Sequence, residues 1–256
     1  MWNSYLIALQ TILYREIKRI FRLWSQTFLP SLISTAIYLL IFGRFLGGHL
    51  DALTGMKYAT YIIPGLVMMT IITNAYNHVC FSYFGAKFQN TVDELLVAPI
   101  PLQLIFWGYV AGGVLRGFLV GLLVMLMAAC FSPFHIEHIG LTLISFLLCA
   151  ILFSMAGFIN ALLAKTFDSL SMMVSFVLTP LTYLGGVFYS IDVLPPIWHK
   201  LSLFNPILYI VDSFRFGMIG SSDINAGFSL LMILVFVLIF YGIAMLMLRR
   251  GKGIRL

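Results

Sequence analysis

HIGLTLISFLLCAILFSMAGFINALLA, residues His138–Ala164, runs for 27 residues without one formally charged side chain. An ordinary buried helix is shorter, whereas roughly 20 consecutive apolar residues cross the hydrocarbon of a bilayer. Comparable stretches recur along the chain, in which 61% of residues are hydrophobic and only 9% charged. A soluble domain of 256 residues needs a polar surface that 15 Lys and Arg plus 9 Asp and Glu cannot cover. The chain therefore reads as an integral membrane protein, and its function has to be sought in what interrupts the apolar runs.

The runs between charges place six spans at roughly 25–46, 59–81, 103–131, 139–163, 171–190 and 226–248. Each can satisfy its own backbone as a helix, the main requirement in hydrocarbon. A membrane barrel would need segments that alternate polar and apolar residues, but these runs are apolar on both parities. The expectation is an all-α integral membrane protein forming one transmembrane domain over residues 1–256.

Orientation follows from the basic residues. Arg15, Lys18, Arg19 and Arg22 precede the first span, Lys87 and Lys165 lie in its even-numbered connections, and Arg249, Arg250, Lys252 and Arg255 form the tail. The positive-inside bias puts these in the cytoplasm together with both termini, leaving Arg44, Lys57, Lys200 and Arg215 on the outer side. The net charge of +6 then reflects loops facing anionic lipid, and no nucleic-acid partner is expected. The first apolar run follows the basic stretch and lacks a small-residue cleavage site, so a removed signal peptide is not expected. Cys80, Cys130 and Cys149 lie in or beside apolar segments and read as small buried hydrophobes.

Ahead of the first span, Leu6, Leu9, Leu13, Ile17, Ile20 and Trp24 recur at helical spacing with the four cations between them. This predicts an amphipathic helix over Tyr5–Trp24 lying in the interface, either as a membrane anchor or as a lever touching a cytoplasmic partner. Within the spans Arg116 is the most costly residue, flanked by Gly112, Gly113 and Gly117. It either snorkels or pairs inside the bundle, or it lines a translocation path. Asn74, Asn77 and Asn160 are expected to bond across helices.

The 82–102 connection carries FQNTVDELLVAPIP. There Thr91 and Glu94 suggest a capping box, and a short helix would present Asp93 and Glu94 to whatever docks. Between spans five and six, LSLFNPILYIVDSFRFGMIG is too apolar for a solvated loop and suggests helices dipping into the outer leaflet, with Asp212 and Arg215 three apart and able to pair. Glycines and aromatics over Leu184–Tyr189 allow helices of two chains to approach closely.

Catalytic patterns are absent: the chain has no HExxH, CxxC, GxSxG or GxxxxGK[ST]. His49, His78, His135, His138 and His199 are scattered and read as interfacial or packing residues, so no metal site is expected. Asp168 and Asp192 should lie on opposite sides of the membrane and make no carboxylate pair. If the chain moves something uphill, the energy comes from elsewhere.

The amphipathic N-terminal helix, the six-span layout, DELLVAPIP at Asp93–Pro101, FVLTPLTYLGGVFYS at Phe176–Ser190 and FNPILYIVDSFRFG at Phe204–Gly217 together resemble the permease subunits of ABC-2 type transporters, over essentially the full length. The resemblance implies a homodimer in the cell inner membrane, paired with separate ATP-binding cassette ATPase subunits. ATP and Mg would be held there, with no cofactor in this chain, and the cargo would be a drug, polysaccharide or lipid-linked glycan. It implies that the N-terminal helix, with Arg15 and Arg19, and the helix of Asp93, Glu94 and Leu95 receive the ATPase movement. Pro180, Gly185 and Gly186 would lie near the dimer seam or the pathway. Leu194–Ile219, with Asn205, Pro206, Tyr209, Asp212 and Arg215, would form the outer re-entrant helices that close the exit.

Overall fold

A computed structural model of the chain describes residues 2–45, 58–92, 97, 100–132, 134–251 and 253. Asp93, Glu94 and Leu95, and with them the expected acidic docking helix, lie outside the described residues, as do Lys57, Lys252 and Arg255. All regular structure among the described residues is helical.

Helix α1 covers Trp2–Arg22 and passes through Leu23 into α2, Trp24–Tyr38, which continues as a wider π-helical stretch over Leu39–Phe45. Helix α3 is Tyr58–Phe88, α4 is Leu102–Phe131 and α5 is Ile139–Leu163. Helix α6 spans Phe167–Leu184 and includes a π-helical middle over Val174–Leu178. Two shorter helices follow, α7 at Pro196–Ser202 and α8 at Pro206–Ile219, and α9 at Ala226–Arg249 closes the chain. Among the described residues, six helices are long and apolar enough to cross a membrane: α2 to α6 and α9.

The boundaries have local causes. Helix α3 runs well past the expected residue 81 and stops where Asn90 takes a left-handed conformation, φ 58°, which an asparagine tolerates at a helix end. The Thr91 hydroxyl donates back to the Ala86 carbonyl at 3.0 Å, and its expected capping partner, Glu94, lies outside the described residues. Helix α6 begins earlier than expected because Thr166 and Ser169 form a reciprocal capping box. It ends at Leu184 rather than 190, because Gly186 turns the chain with φ +70°. The turned segment then crosses α3 so closely that a Cβ on Gly65 would collide with the Val187 backbone.

Helix α3 is the axis of the molecule. In its most apolar window 72% of residues are buried, against 17% in each of α2, α6 and α9. It packs against α4, α5 and α8, with Tyr83, Tyr109 and Phe158 clustering between three of these helices. Lys87, expected in the cytoplasmic 82–102 connection, is instead buried in the last turn of α3. Its ammonium donates to the carbonyls of Leu162 (3.4 Å) and Ala164 (3.1 Å), where the negative end of α5 welcomes a cation.

Candidate functional site

Helix α3 is apolar overall, yet Thr70, Asn74, His78 and Ser82 recur on it every four residues and so share one face. All four are buried. Buried polar groups inside a membrane bundle need partners; Thr70, Asn74 and Ser82 make side-chain hydrogen bonds, and His78 lies in ion-pair contact with Glu16. Thr70 donates to the Leu66 carbonyl at 2.8 Å. The Asn74 amide donates to Ser31 Oγ of α2 and to the Thr70 carbonyl, both at 3.0 Å, while its carbonyl oxygen accepts from Arg116 of α4 at 3.3 Å. His78 Nε2 and the Ser82 hydroxyl converge on one oxygen of Glu16, at 3.0 and 2.7 Å.

Glu16 is the residue that composition concealed. It sits among cations on α1, but its side chain is 1% exposed, and Arg15 lies 3.6 Å from its other oxygen. Burial alone pushes its carboxyl up, but the hydrogen bonds and charges of His78, Ser82 and Arg15 outweigh that and hold it below the ordinary value of 4.5. Its place exists because α4 offers glycines there. A Cβ on Gly112 would stand 2.8 Å from Glu16 Cβ and 3.1 Å from His78 Nε2, and one on Gly108 would stand 2.7 Å from Ile12 Cγ2. The embedded stripe of α1 is therefore Ile12, Glu16 and Ile20, whereas Leu6, Ile17 and Trp24 of the expected apolar face are exposed. The i, i+4 spacing of a lone carboxylate between two isoleucines was the signal for this face.

Arg15 and Arg19 also turn toward the spans. Arg15 donates to the Tyr109 hydroxyl and stacks over that ring, and Arg19 donates to the Phe81 carbonyl at 3.4 Å. Together with Lys18 and Arg22 they border a cleft of about 570 Å³ between α1 and the Phe88 end of α3. At the other end of the stripe, Thr70 and Asn74 line a groove of about 250 Å³ between α2 and α3, with Ser31, Ser34, Thr35 and Thr73. Arg116 does not line this groove; it stands behind Asn74, midway along α4 and inside the bundle rather than at either end of its helix. Asn77 is apart from the groove, its carbonyl oxygen buried without a partner among the described residues. Asn160 bonds Cys80 at 3.2 Å.

The structure brings the residues between α6 and α9 together differently from expectation. Asp212 and Arg215 do not pair with each other. Asp212 accepts from the backbone amides of Asp223 (2.7 Å) and Ile224 (3.1 Å) and from the hydroxyls of Ser222 and Ser229, so it fastens the α8–α9 turn. Burial nevertheless pushes its carboxyl above its ordinary value, against those bonds. Arg215 donates to the Gly186 carbonyl at 2.5 Å, lies over the Tyr61 ring and reaches the Asp223 carboxylate at 3.5 Å. The two side chains thus meet at Asp223, one at its backbone amide and the other at its carboxylate. Asn205 caps α8 by accepting from the Ile207 amide, with Pro206 at the first helical position, and its amide donates to the Leu181 carbonyl at 2.6 Å. Tyr209 donates to the Leu203 carbonyl at 2.7 Å. Gly185 lies against Ile207, and Pro180 sits in the last turns of α6. Helix α8 is thus buried and sewn in on several sides; the exposed apolar residues of this region, among them Val193, Ile197, Trp198, Leu201 and Phe204, lie on α7 or flank it.

Six apolar helices with a buried polar stripe, and a cation-rich helix keyed into one end of it, define a polytopic helical membrane protein. The chain belongs to the ABC-2 type transporter family, whose profile matches residues 7–219. It is similar to the inner membrane transport permease YadH of Escherichia coli K12, with 46% identity over 255 residues that cover 100% of both chains. The E. coli O157:H7 protein of the same name matches equally well. Nodulation protein J of Rhizobium leguminosarum bv. viciae is 22% identical over 91% of this chain and 92% of its own. A permease of this family forms the transmembrane substrate pathway, and the ATPase activity resides in a partner subunit.

Proposed function

We propose that this chain is the membrane half of an exporter in the cell inner membrane, working as a homodimer with a separate ATP-binding cassette ATPase. Both termini lie in the cytoplasm, in keeping with the basic residues at the two ends of the chain. The observation that carries the reading is the stripe Thr70–Asn74–His78–Ser82, which joins the N-terminal helix at one end to a hydroxyl-lined groove at the other. Helix α1, through Glu16 with Arg15 and Arg19 beside it, and the segment of Asp93, Glu94 and Leu95 receive the ATPase stroke. Asn74 lines the pathway and Arg116 braces it, while Asn77, Pro180, Gly185 and Gly186 shape the bundle around it. The α7–α8 region, held by Asn205, Pro206, Tyr209, Asp212 and Arg215, closes the outer end. The cargo is a drug, a polysaccharide or a lipid-linked glycan, and the groove meets it with six hydroxyls and one amide beside the apolar Pro30, Leu66 and Met69.

The test is co-purification with the cognate ATPase, stimulation of its hydrolysis, and export from vesicles. Reversing Asp93 and Glu94 to Lys should weaken ATPase binding while leaving the spans intact. Undiminished binding and stimulation would refute the docking role. Single-cysteine cross-linking along α2 and α6, whose apolar windows are largely unburied, should give dimers in native membranes. Monomers at every position would refute the homodimer.

A further inference from the structure

The cleft between the C-terminal half of α1 and the Phe88 end of α3 is not explained by the stripe above it. Arg15, Lys18, Arg19 and Arg22 border it on one side, and Gln89 and Thr91 on the other. Spaced by three, one and three residues, the four cations fall on one face of α1, where like charges repel. The one carboxylate on the wall, Glu16, lies 3.6 Å from Arg15 and offsets one of the four charges, which leaves the wall a net three positive. A concavity ringed in this way suits an anion with several acceptor oxygens, and arginine forks match phosphate geometry.

Position narrows the source. Helix α1 becomes the first span at Trp24, beside the cleft, and the second span ends at Phe88 on its opposite side. The cleft therefore lies at the level where spans leave the hydrocarbon. Phe21, Leu23 and Trp24 are exposed next to it and offer an apolar surface along which an acyl chain can run. We propose that the cleft binds the phosphate group of an anionic membrane lipid, whose headgroup enters between α1 and α3 while its chains lie along the start of α2. Basic pockets between helices at a membrane face take such headgroups. An acidic segment of a partner protein fits less well, because Arg19 is drawn inward to the Phe81 carbonyl and the exposed apolar residues beside the cleft suit lipid chains. This assignment stands apart from the transport reading and does not depend on the cargo.

The experiment uses the full chain in phosphatidylcholine nanodiscs containing graded phosphatidylglycerol, with bound lipid counted by native mass spectrometry and thermal unfolding followed in parallel. Lys18 and Arg22 are both exposed, so the K18Q/R22Q double variant should fold normally. Its affinity for phosphatidylglycerol should fall about 25-fold, about fivefold for each cation removed. If the double variant fails to fold, K18Q alone should show the single fivefold loss. Inorganic phosphate at the same phosphate concentration should neither stabilise the protein nor displace the lipid. Unchanged phosphatidylglycerol binding in K18Q/R22Q would overturn the proposal. So would equal stabilisation by inorganic phosphate, which would make the ligand a free anion. Loss of ATPase co-purification with lipid binding intact would also overturn it, because the cations would then serve a protein partner.

Discussion

Replacing Glu16 by alanine tests whether α1 is fastened to the spans through its one carboxylate. The change removes the acceptor of two charge-assisted contacts, His78 at 3.0 Å and Ser82 at 2.7 Å, in a site that is 1% exposed. The Ser82 hydrogen bond to a charged group contributes about 1.5–3 kcal/mol, and breaking a buried pair such as His78 with Glu16 costs about 3–5 kcal/mol. His78 can relieve part of that by remaining neutral, which favours the lower end, about 3 kcal/mol. A change of that size shifts the docking equilibrium of α1 by roughly a hundredfold. Amide hydrogen exchange reads this directly: exchange in the Ile12–Ile20 segment should accelerate by about two orders of magnitude, while that of α3 and α5 barely changes. The same contact has a pH signature. Because the folded pKa of Glu16 lies below 4.5, its contribution is complete above pH 4.5 and is lost as the pH falls through the lower folded value. E16Q should remove that acid-dependent loosening. If E16A leaves α1 exchange at the wild-type rate, the helix is held by Ile12 and Ile20 alone and the reasoning is refuted.

Gly112→Ala should mimic E16A in the same exchange assay, because its Cβ needs the space of Glu16 and His78; normal α1 protection would show that the helices separate at little cost. Lys87→Met should remove the cation from the α5 carbonyls and destabilise the end of α5 by about 1 kcal/mol, seen as faster exchange near Ala164. Arg215→Lys keeps the charge but loses the fork that meets Gly186, Asp223 and the Tyr61 ring together, and should cost about 2 kcal/mol in thermal unfolding of the purified chain. Arg116→Leu should leave abundance unchanged yet lower export, because Asn74 loses the donor that fixes its amide in the groove; export at wild-type level would remove Arg116 from the pathway.

The spans were legible because length and hydropathy are one-dimensional properties: every expected span corresponds to an apolar helix, displaced only where a cap or a turn decides the end. Thr166 with Ser169 and Gly186 are such cases, and both lie in sequence patterns too common to interpret alone. The individual polar residues were less legible. Asn74 and Arg116 stood out because each is costly in hydrocarbon, and they do meet. His78 looked like one of several scattered histidines, since its meaning depends on Glu16, 62 residues earlier on another helix. Asp212 and Arg215 misled in the opposite way: local spacing suggested a pair, but tertiary partners 11 and 29 residues away satisfy each of them better.

The location of the polar stripe on α3 follows from the same physics that makes it useful. On a helix facing lipid, four polar side chains at one face would each need a partner that lipid cannot give. On the most enclosed of the spans they find α1, α2 and α4 instead, so the groups that satisfy the stripe also link those helices to one another. A force applied to α1 can change the groove only by the difference in contact energy between the two positions of the helix. If that difference resides in the Glu16 contacts, about 3 kcal/mol is the most the link transmits, enough to change the relative population of two groove states by roughly a hundredfold. That suffices to switch a pathway poised near balance, and it falls short of moving one held strongly closed, which needs about 5.5 kcal/mol to invert. A transporter built on this stripe must therefore rest close to its switching point, or draw on a second contact with its ATPase through the segment of Asp93 and Glu94.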